Sequence, residues 1–201
     1  MRVVVVVGSH RRNGVAEHLA NVFTGFLARE NPALQAETIL LAEVRIEPCR
    51  ACRECAKGKT CKITRDDFRK VLDRLSGADA MVLITPRYSP VPSKVSALLE
   101  RLTSLSYFPT EEDPGYCRPL RGKPWGLLAF DSQGTMDAEL VQMLADYLQG
   151  FASGYGTLGT PDAPMPPMTT GGRVAHNAPL EEHAAAMAKM IAERLIKKEV
   201  S

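Results

Sequence analysis

The sequence predicts an α/β fold, a parallel sheet covered by helices on both faces, and three observations carry that prediction. Short apolar runs alternate strictly with longer segments of helical periodicity. The first run, Val3 to Val7, is valine throughout, as expected of a strand buried on both faces. Glycine-, serine- and proline-rich breaks follow the runs, where crossover loops are required.

Taken in order, Val3–Val7 is broken by Gly8-Ser9-His10-Arg11-Arg12-Asn13-Gly14, and a helical stripe of Ala16, Leu19, Ala20, Phe23 and Leu27 follows. Thr38–Leu41 reads as a second strand, with a cysteine-rich insertion after it. Thr64 and Asp67 read as a capping-box pair ahead of Phe68, Val71, Leu72 and Leu75, so a helix is expected from about residue 65. Ala80–Thr85 is a third strand ending at Pro86. Ser93 is expected to cap a helix whose apolar face is Val95, Leu98, Leu99 and Leu102. Residues 106–123 are polar and turn-rich and read as a long loop. Trp125–Phe130 is a fourth strand, 131–135 its loop, and Leu140, Val141, Leu144 and Leu148 mark a further helix. Tyr155–Leu158 reads as a short fifth strand. Residues 160–179, with five prolines and two adjacent glycines, should lack regular structure. A helix from about Pro179 to Lys198 carries Glu181 and Glu182 in its first turn and Lys197 and Lys198 in its last, as its dipole favours.

Length and composition narrow the function. The 201 residues suit one domain spanning 1–201, with 45% hydrophobic and 24% charged residues. A net charge of +2 without a Lys/Arg block argues against nucleic acid as a partner. No apolar run approaches the ~20 residues a bilayer requires, and the opening valine run is too short for a signal peptide. Five cysteines, an odd count with no secretion signal, point to metal or redox chemistry in a reducing, cytoplasmic setting rather than to a disulfide framework.

Five strand–helix units fit a flavodoxin-like five-stranded parallel sheet of order 2-1-3-4-5, whose ligand site lies at the carboxyl ends of the strands. Loops 8–14, 85–93 and 131–135 share that edge. The first has a physical reading as an anion site. Its glycines let the chain turn, free amides open the next helix, and Ser9 and Arg11 add a hydroxyl and a fixed charge. It is neither the Walker pattern nor the dinucleotide fingerprint, and it holds no cysteine nucleophile. A tight turn that binds nothing is the alternative.

Cys49-x2-Cys52-x2-Cys55-x5-Cys61 is the sharpest signal in the chain. Compact thiolate spacing of this kind resembles the ferredoxin run, whereas four-cysteine zinc sites usually draw on two separated pairs. Cluster, zinc and unmetallated thiols all stay open on spacing alone. Arg50, Arg53, Lys57, Lys59 and Lys62 either offset an anionic cluster or form a solvated face. Cys117 stands alone.

The first loop, with Thr85-Pro86-Arg87-Tyr88, Val91-Pro92-Ser93 and a helix ending Leu99-Glu100-Arg101, resembles the NADPH-dependent FMN reductase family. With the cysteine segment added, the chain resembles iron–sulfur flavoproteins over at least residues 2–150. The resemblance implies an FMN phosphate on Ser9, Arg11, Asn13, Gly14 and the amides of Val15 and Ala16. Pro86, Arg87, Tyr88 and Ser89 would border the flavin ring, with Ser132, Gln133 and Gly134 closing the other side. It implies a [4Fe–4S] cluster on the four cysteines, and a homodimer or homotetramer. The implied activity passes electrons from NAD(P)H or a redox-protein donor to a quinone, flavin or protein acceptor. Where relatives often carry Asn-Thr after the loop glycine, this chain has Val15-Ala16. No side chain is needed as a general base. A non-catalytic electron carrier and a flavodoxin scaffold with structural zinc are the competing readings.

Overall fold

The computed structural model describes residues 1–117, 119–153, 170, 174, 175 and 177–199. In chain order the elements are β1 (Arg2–Val7), α1 (Val15–Glu30), β2 (Gln35–Leu40), α2 (Glu54–Gly58), α3 (Phe68–Ser76), β3 (Ala80–Pro86), α4 (Ser93–Glu112), β4 (Trp125–Phe130), α5 (Ala138–Ser153) and α6 (Leu180–Glu199). The strands pair in parallel in the order β2-β1-β3-β4, with Val5 of β1 opposite Thr38 of β2 and Val82 of β3. The described sheet thus has four strands rather than five, in the predicted order. The expected fifth strand, Tyr155–Leu158, lies outside the described residues.

The valine run of β1 is divided between two cores by the pleat. Val4 and Val6 face α3, α4 and α5, while Val3, Val5 and Val7 face α1 and α6. The whole predicted stripe of α1, Ala16 to Leu27, is buried, and α6 meets it with Ala184, Met187, Ile191 and Leu195. Strand β2 is the edge, and of its six residues Ile39 alone is fully buried.

Strand β2 begins at Gln35, ahead of the expected Thr38, and ends at Leu40, and three helix expectations change. Helix α3 begins at Phe68, and the Thr64–Asp67 capping box does not form: Thr64 is exposed, and the Asp67 carboxylate accepts the Arg45 amide at 3.0 Å and Lys70 at 3.0 Å. Ser93 is the first residue of α4 rather than its cap, which is Pro92. Helix α4 also runs on through Pro109 to Glu112, where a loop was expected. Pro109 removes the amide that would bond to Leu105. Burial of Leu105, Ser106, Pro109 and Thr110, with the Thr110 hydroxyl on the Ser106 carbonyl at 2.7 Å, holds the turn nonetheless.

At the carboxyl end of β1 the chain leaves the sheet through Gly8, whose amide bonds to Ile84 at 2.8 Å. A Cβ there would sit 2.7 Å from Thr85 Oγ1 and 2.7 Å from Val95 Cγ2. We therefore expect Gly8→Ala to cost ~1–3 kcal/mol through overpacking. A lower urea midpoint at unchanged m reports that loss; an unshifted midpoint contradicts it.

Candidate functional site

The loops after β1, β3 and β4 enclose one cleft of about 440 Å³ at the carboxyl edge of the sheet. From the first loop it is lined by Ser9, Arg11, Gly14, Val15 and Ala16, from the second by Pro86, Arg87 and Tyr88, and from the third by Ser132 and Gly134. Three of the predicted residues are placed otherwise. Ser89 lines a neighbouring cleft, and Asn13 and Gln133 do not line the main one. Phe130 and Asp131 join the lining without having been anticipated.

The first loop is built for exposed amides. Ser9, nearly buried, accepts the Arg11 amide at 3.0 Å and donates to the Arg11 carbonyl at 3.2 Å, closing a tight turn. Asn13 takes a left-handed φ of 54°, which asparagine tolerates, and its amide donates to Glu17 at 2.7 Å. Gly14 then starts α1 with no side-chain cap, so the helix's first amides lack the acceptor a serine or aspartate would give. The Arg11 guanidinium folds over this point, with Nε 3.3 Å from where a Gly14 Cβ would lie. Amides plus one guanidinium make an anion cradle, with the Glu17 carboxylate at its edge.

Carboxylates shape the other two loops. Asp131 accepts the amides of Gln133 at 2.9 Å and Thr135 at 3.0 Å and the Thr135 hydroxyl at 2.7 Å. The Thr135 hydroxyl bond, followed by the amides, holds the Asp131 carboxyl below its usual range. The turn needs Gly134 at a φ of 80°. Arg87 projects from the second loop but is fastened to the start of α5: both its ends bond to Asp137, one at 2.7 Å, and it reaches Glu139 at 3.3 Å. These bonds raise the Arg87 pKa and lower that of Asp137. Arg87 is therefore a strut between loops more than a free cation.

His10 and Tyr88 form the wall toward the second cleft, of about 500 Å³, which also meets Pro48, Ser89 and Glu100. Their rings lie 6.4 Å apart, and His10 Nε2 accepts the Lys94 amide at 3.3 Å in the first turn of α4. Tyr88 is 66% exposed on the rim of both clefts, so it does not pack into the core.

All four predicted cysteines line a third, small cavity against α4. Cys55 is buried, Cys49 and Cys61 are half-buried, and Cys52 is exposed on the rim. Cys49 Sγ lies 3.2 Å from Ser104 Oγ, Cys55 donates to the Ser104 carbonyl at 3.5 Å, and Cys61 Sγ accepts from Arg101 at 3.2 Å. Burial pushes the Cys55 thiol up, and the neighbouring cysteines add to that. Ala51, Arg53 and Lys59 all take a positive φ near 50–60° around the short helix α2. Strained backbone of this kind persists only when its surroundings fix it, and clusters at ligand clamps.

Thiol donors with an N–H···S partner are the chemistry an iron–sulfur group requires, so the residues fit it in kind. Among the described residues, no three His, Cys, Asp or Glu side chains converge tightly enough to hold a single ion. The space between the cysteines is about 20 Å³, room for about one water, so a larger group requires the rim at Cys52 to open. Three of the five surrounding cations are committed to carboxylates, and Lys62 lines the cavity itself. Arg50 pairs with Glu47 at 3.1 Å, Arg53 with Glu111 at 2.7 Å, and Lys59 with Asp113 at 2.5 Å.

The sheet order and the carboxyl-edge cleft define the class as a flavodoxin-like α/β protein. Residues 1–163 match the family described as NADPH-dependent FMN reductase, and the chain belongs to that family. An iron–sulfur flavoprotein of Methanocaldococcus jannaschii is 29% identical over 102 residues, 50% of this chain and 51% of that protein. One of Archaeoglobus fulgidus is 38% identical over 68 residues, 33% of each. The chain thus spans about half of the first of these curated relatives and a third of the second. Among solved structures, an NAD(P)H:quinone oxidoreductase from Methanothermobacter marburgensis matches with a TM-score of 0.65 at 18% identity, over 97% of this chain and 98% of the other; that likeness concerns the fold. Among the described residues no helix is long and apolar enough to cross a membrane.

Two predictions follow from the site's construction. Asp137 both pairs with Arg87 and accepts the Leu140 amide at 2.9 Å, capping α5. Asp137→Ala should lose ~0.5–2 kcal/mol from the cap alone, while Asp137→Asn keeps a capping oxygen and loses the charge. Because the folded carboxyl is depressed, its contribution is complete above the unfolded pKa of ~3.9 and fades as pH falls through the folded value. The stability gap between wild type and Asp137→Asn should therefore shrink in acid; a gap that stays level from neutral pH to pH ~3 contradicts this account. The cysteine segment is clamped to α4 by Arg53–Glu111 and Lys59–Asp113, with Cys55 and Ala56 buried. Metal-stripped protein should therefore keep its helical circular dichroism and melt cooperatively. Unfolding on chelation, as in zinc fingers, would refute that clamp.

Proposed function

We propose that the chain is an FMN-dependent oxidoreductase that takes electrons from NAD(P)H or a redox-protein donor and passes them to a quinone, flavin or protein acceptor. The observation that carries this is the single cleft in which the anion cradle of the first loop faces the edges of the second and third. Bound FMN supplies the hydride and one-electron chemistry, which no side chain here provides.

The residues divide that work by position. The amides following Gly14, with Ser9 and Arg11, hold the phosphate. Val15 and Ala16 offer backbone alone, so the grip depends on the guanidinium more than it would with a hydroxyl there. Pro86 and Tyr88 form one edge of the ring site, and the Asp131 turn presents Ser132 and Gly134 on the other. Arg87, tied to Asp137, fixes the second loop against α5 so that the two edges keep their spacing. The four cysteines hold a [4Fe–4S] cluster in this reading, supported by the names of the relatives and by the thiols' shared cavity. A cytoplasmic location and a homodimeric or homotetrameric assembly accompany it.

Titration of purified protein with FMN tests the reading: micromolar quenching of flavin fluorescence is expected. Arg11→Ala should weaken binding roughly tenfold to hundredfold, the value of a hydrogen bond to a charged group. Absence of both quenching and heat at micromolar concentration overturns it. NAD(P)H oxidation by the loaded protein with quinone present then separates an enzyme from a carrier, since a carrier gives no turnover.

A further inference from the structure

Arg101 lies in the middle of α4, on the same stripe as Leu98 and Leu102, and is 1% exposed. A buried guanidinium is costly unless each of its donors is used. One end bonds to Asp66, whose side chain is fully buried, and to the Glu47 carbonyl at 3.4 Å. The other donates to the Ile63 carbonyl at 3.0 Å and to Cys61 Sγ at 3.2 Å. The plane rests over Phe68, 3.9 Å from the ring centre. Nε alone has no partner, and the residue lines the cysteine cavity.

That arrangement exceeds what packing demands. A leucine at this position would continue the apolar stripe without a buried carboxylate to match. Arg50, Arg53 and Lys62 also line the cavity, and Arg50 and Arg53 pair with Glu47 and Glu111; Arg101, though paired with Asp66 through one terminal nitrogen, turns the other to the Cys61 sulfur. Arg101 is locked on four sides and offers its charge to a cysteine sulfur. The geometry points to Arg101 as a residue that tunes the potential of the group the four cysteines hold, through its N–H bond to the Cys61 sulfur. This rests on the four-cysteine reading above. Cationic N–H donors to ligand sulfur favour the more negative, reduced state of an iron–sulfur group and so raise its potential.

The test uses full-length protein reconstituted anaerobically with ferrous iron and sulfide, with the midpoint potential of the iron–sulfur signal as readout. Arg101→Met should lower the potential, by about a tenfold shift in the reduced-to-oxidised ratio, which is ~59 mV for one electron. Arg101→Lys should restore part of it. FMN affinity, read at the other site, should stay at the wild-type value in both. Because Arg101→Met strands Asp66, the double variant Arg101→Met/Asp66→Asn keeps the interior neutral and isolates the lost N–H···S bond; its potential should still lie below the wild-type value, by less than in the single variant. Unchanged potential in folded, iron-loaded variants overturns the role of Arg101 and leaves the cysteine reading intact. Failure of wild type itself to take up iron removes the cysteine reading, and this inference with it, before any variant is made.

Discussion

The rest of the structure depends on the close approach of β1 and β3 at Gly8. Both strands are buried on both faces, and the chain turns out of β1 where Thr85 and Val95 leave no room for a Cβ. This contact brings the first loop against the second and against the start of α4, where His10 meets Lys94. A packing constraint in the core thus fixes the geometry of the surface.

Carboxylates, more than cations, shape the site. Glu17 secures the Asn13 turn, Asp131 ties its own loop, and Asp137 takes Arg87 while capping α5. Each spends its charge on local amides or a fixed guanidinium, so little free negative charge faces the cradle. Glu17, though bonded to the Asn13 amide, stands at the cradle's edge and shares the positive potential of the helix start. The Arg12 guanidinium, 3.7 Å away, partly offsets its charge.

Most of the fold was legible because periodicity records burial. The α1 stripe from Ala16 to Leu27 and the β4 run Trp125–Phe130 match the buried faces. The three loops at the cleft were legible from strand–loop–helix order, which places them at one edge, and the ten residues in them that line it came from the resemblance to the reductase family. What was hidden arises from tertiary partners. The continuation of α4 past Pro109 depends on burial that polar composition does not announce. The roles of Asp137 and Asp66 depend on arginines 50 and 35 residues away. Arg101 did leave a trace, a charge on an otherwise apolar helical stripe, and a charge in that place demands a buried counter-charge. Asp137 left one too, three residues before Leu140 at a helix start.

Helix α4 is the element both sites share. Its first turn takes the His10 ring beside the cleft at Lys94, and its middle carries Arg101 and Ser104 under the cysteines. From Ser93 to Ser104 is about 16 Å along the axis, at ~1.5 Å per residue. Glu100 lies between them, lining the second cleft and accepting the Cys49 amide at 3.2 Å. A helix held at one end by the first loop and along its length by the cysteine segment cannot slide without disturbing both. The fold therefore sets the distance between an anion cradle and a thiol-lined cavity by a rigid rod.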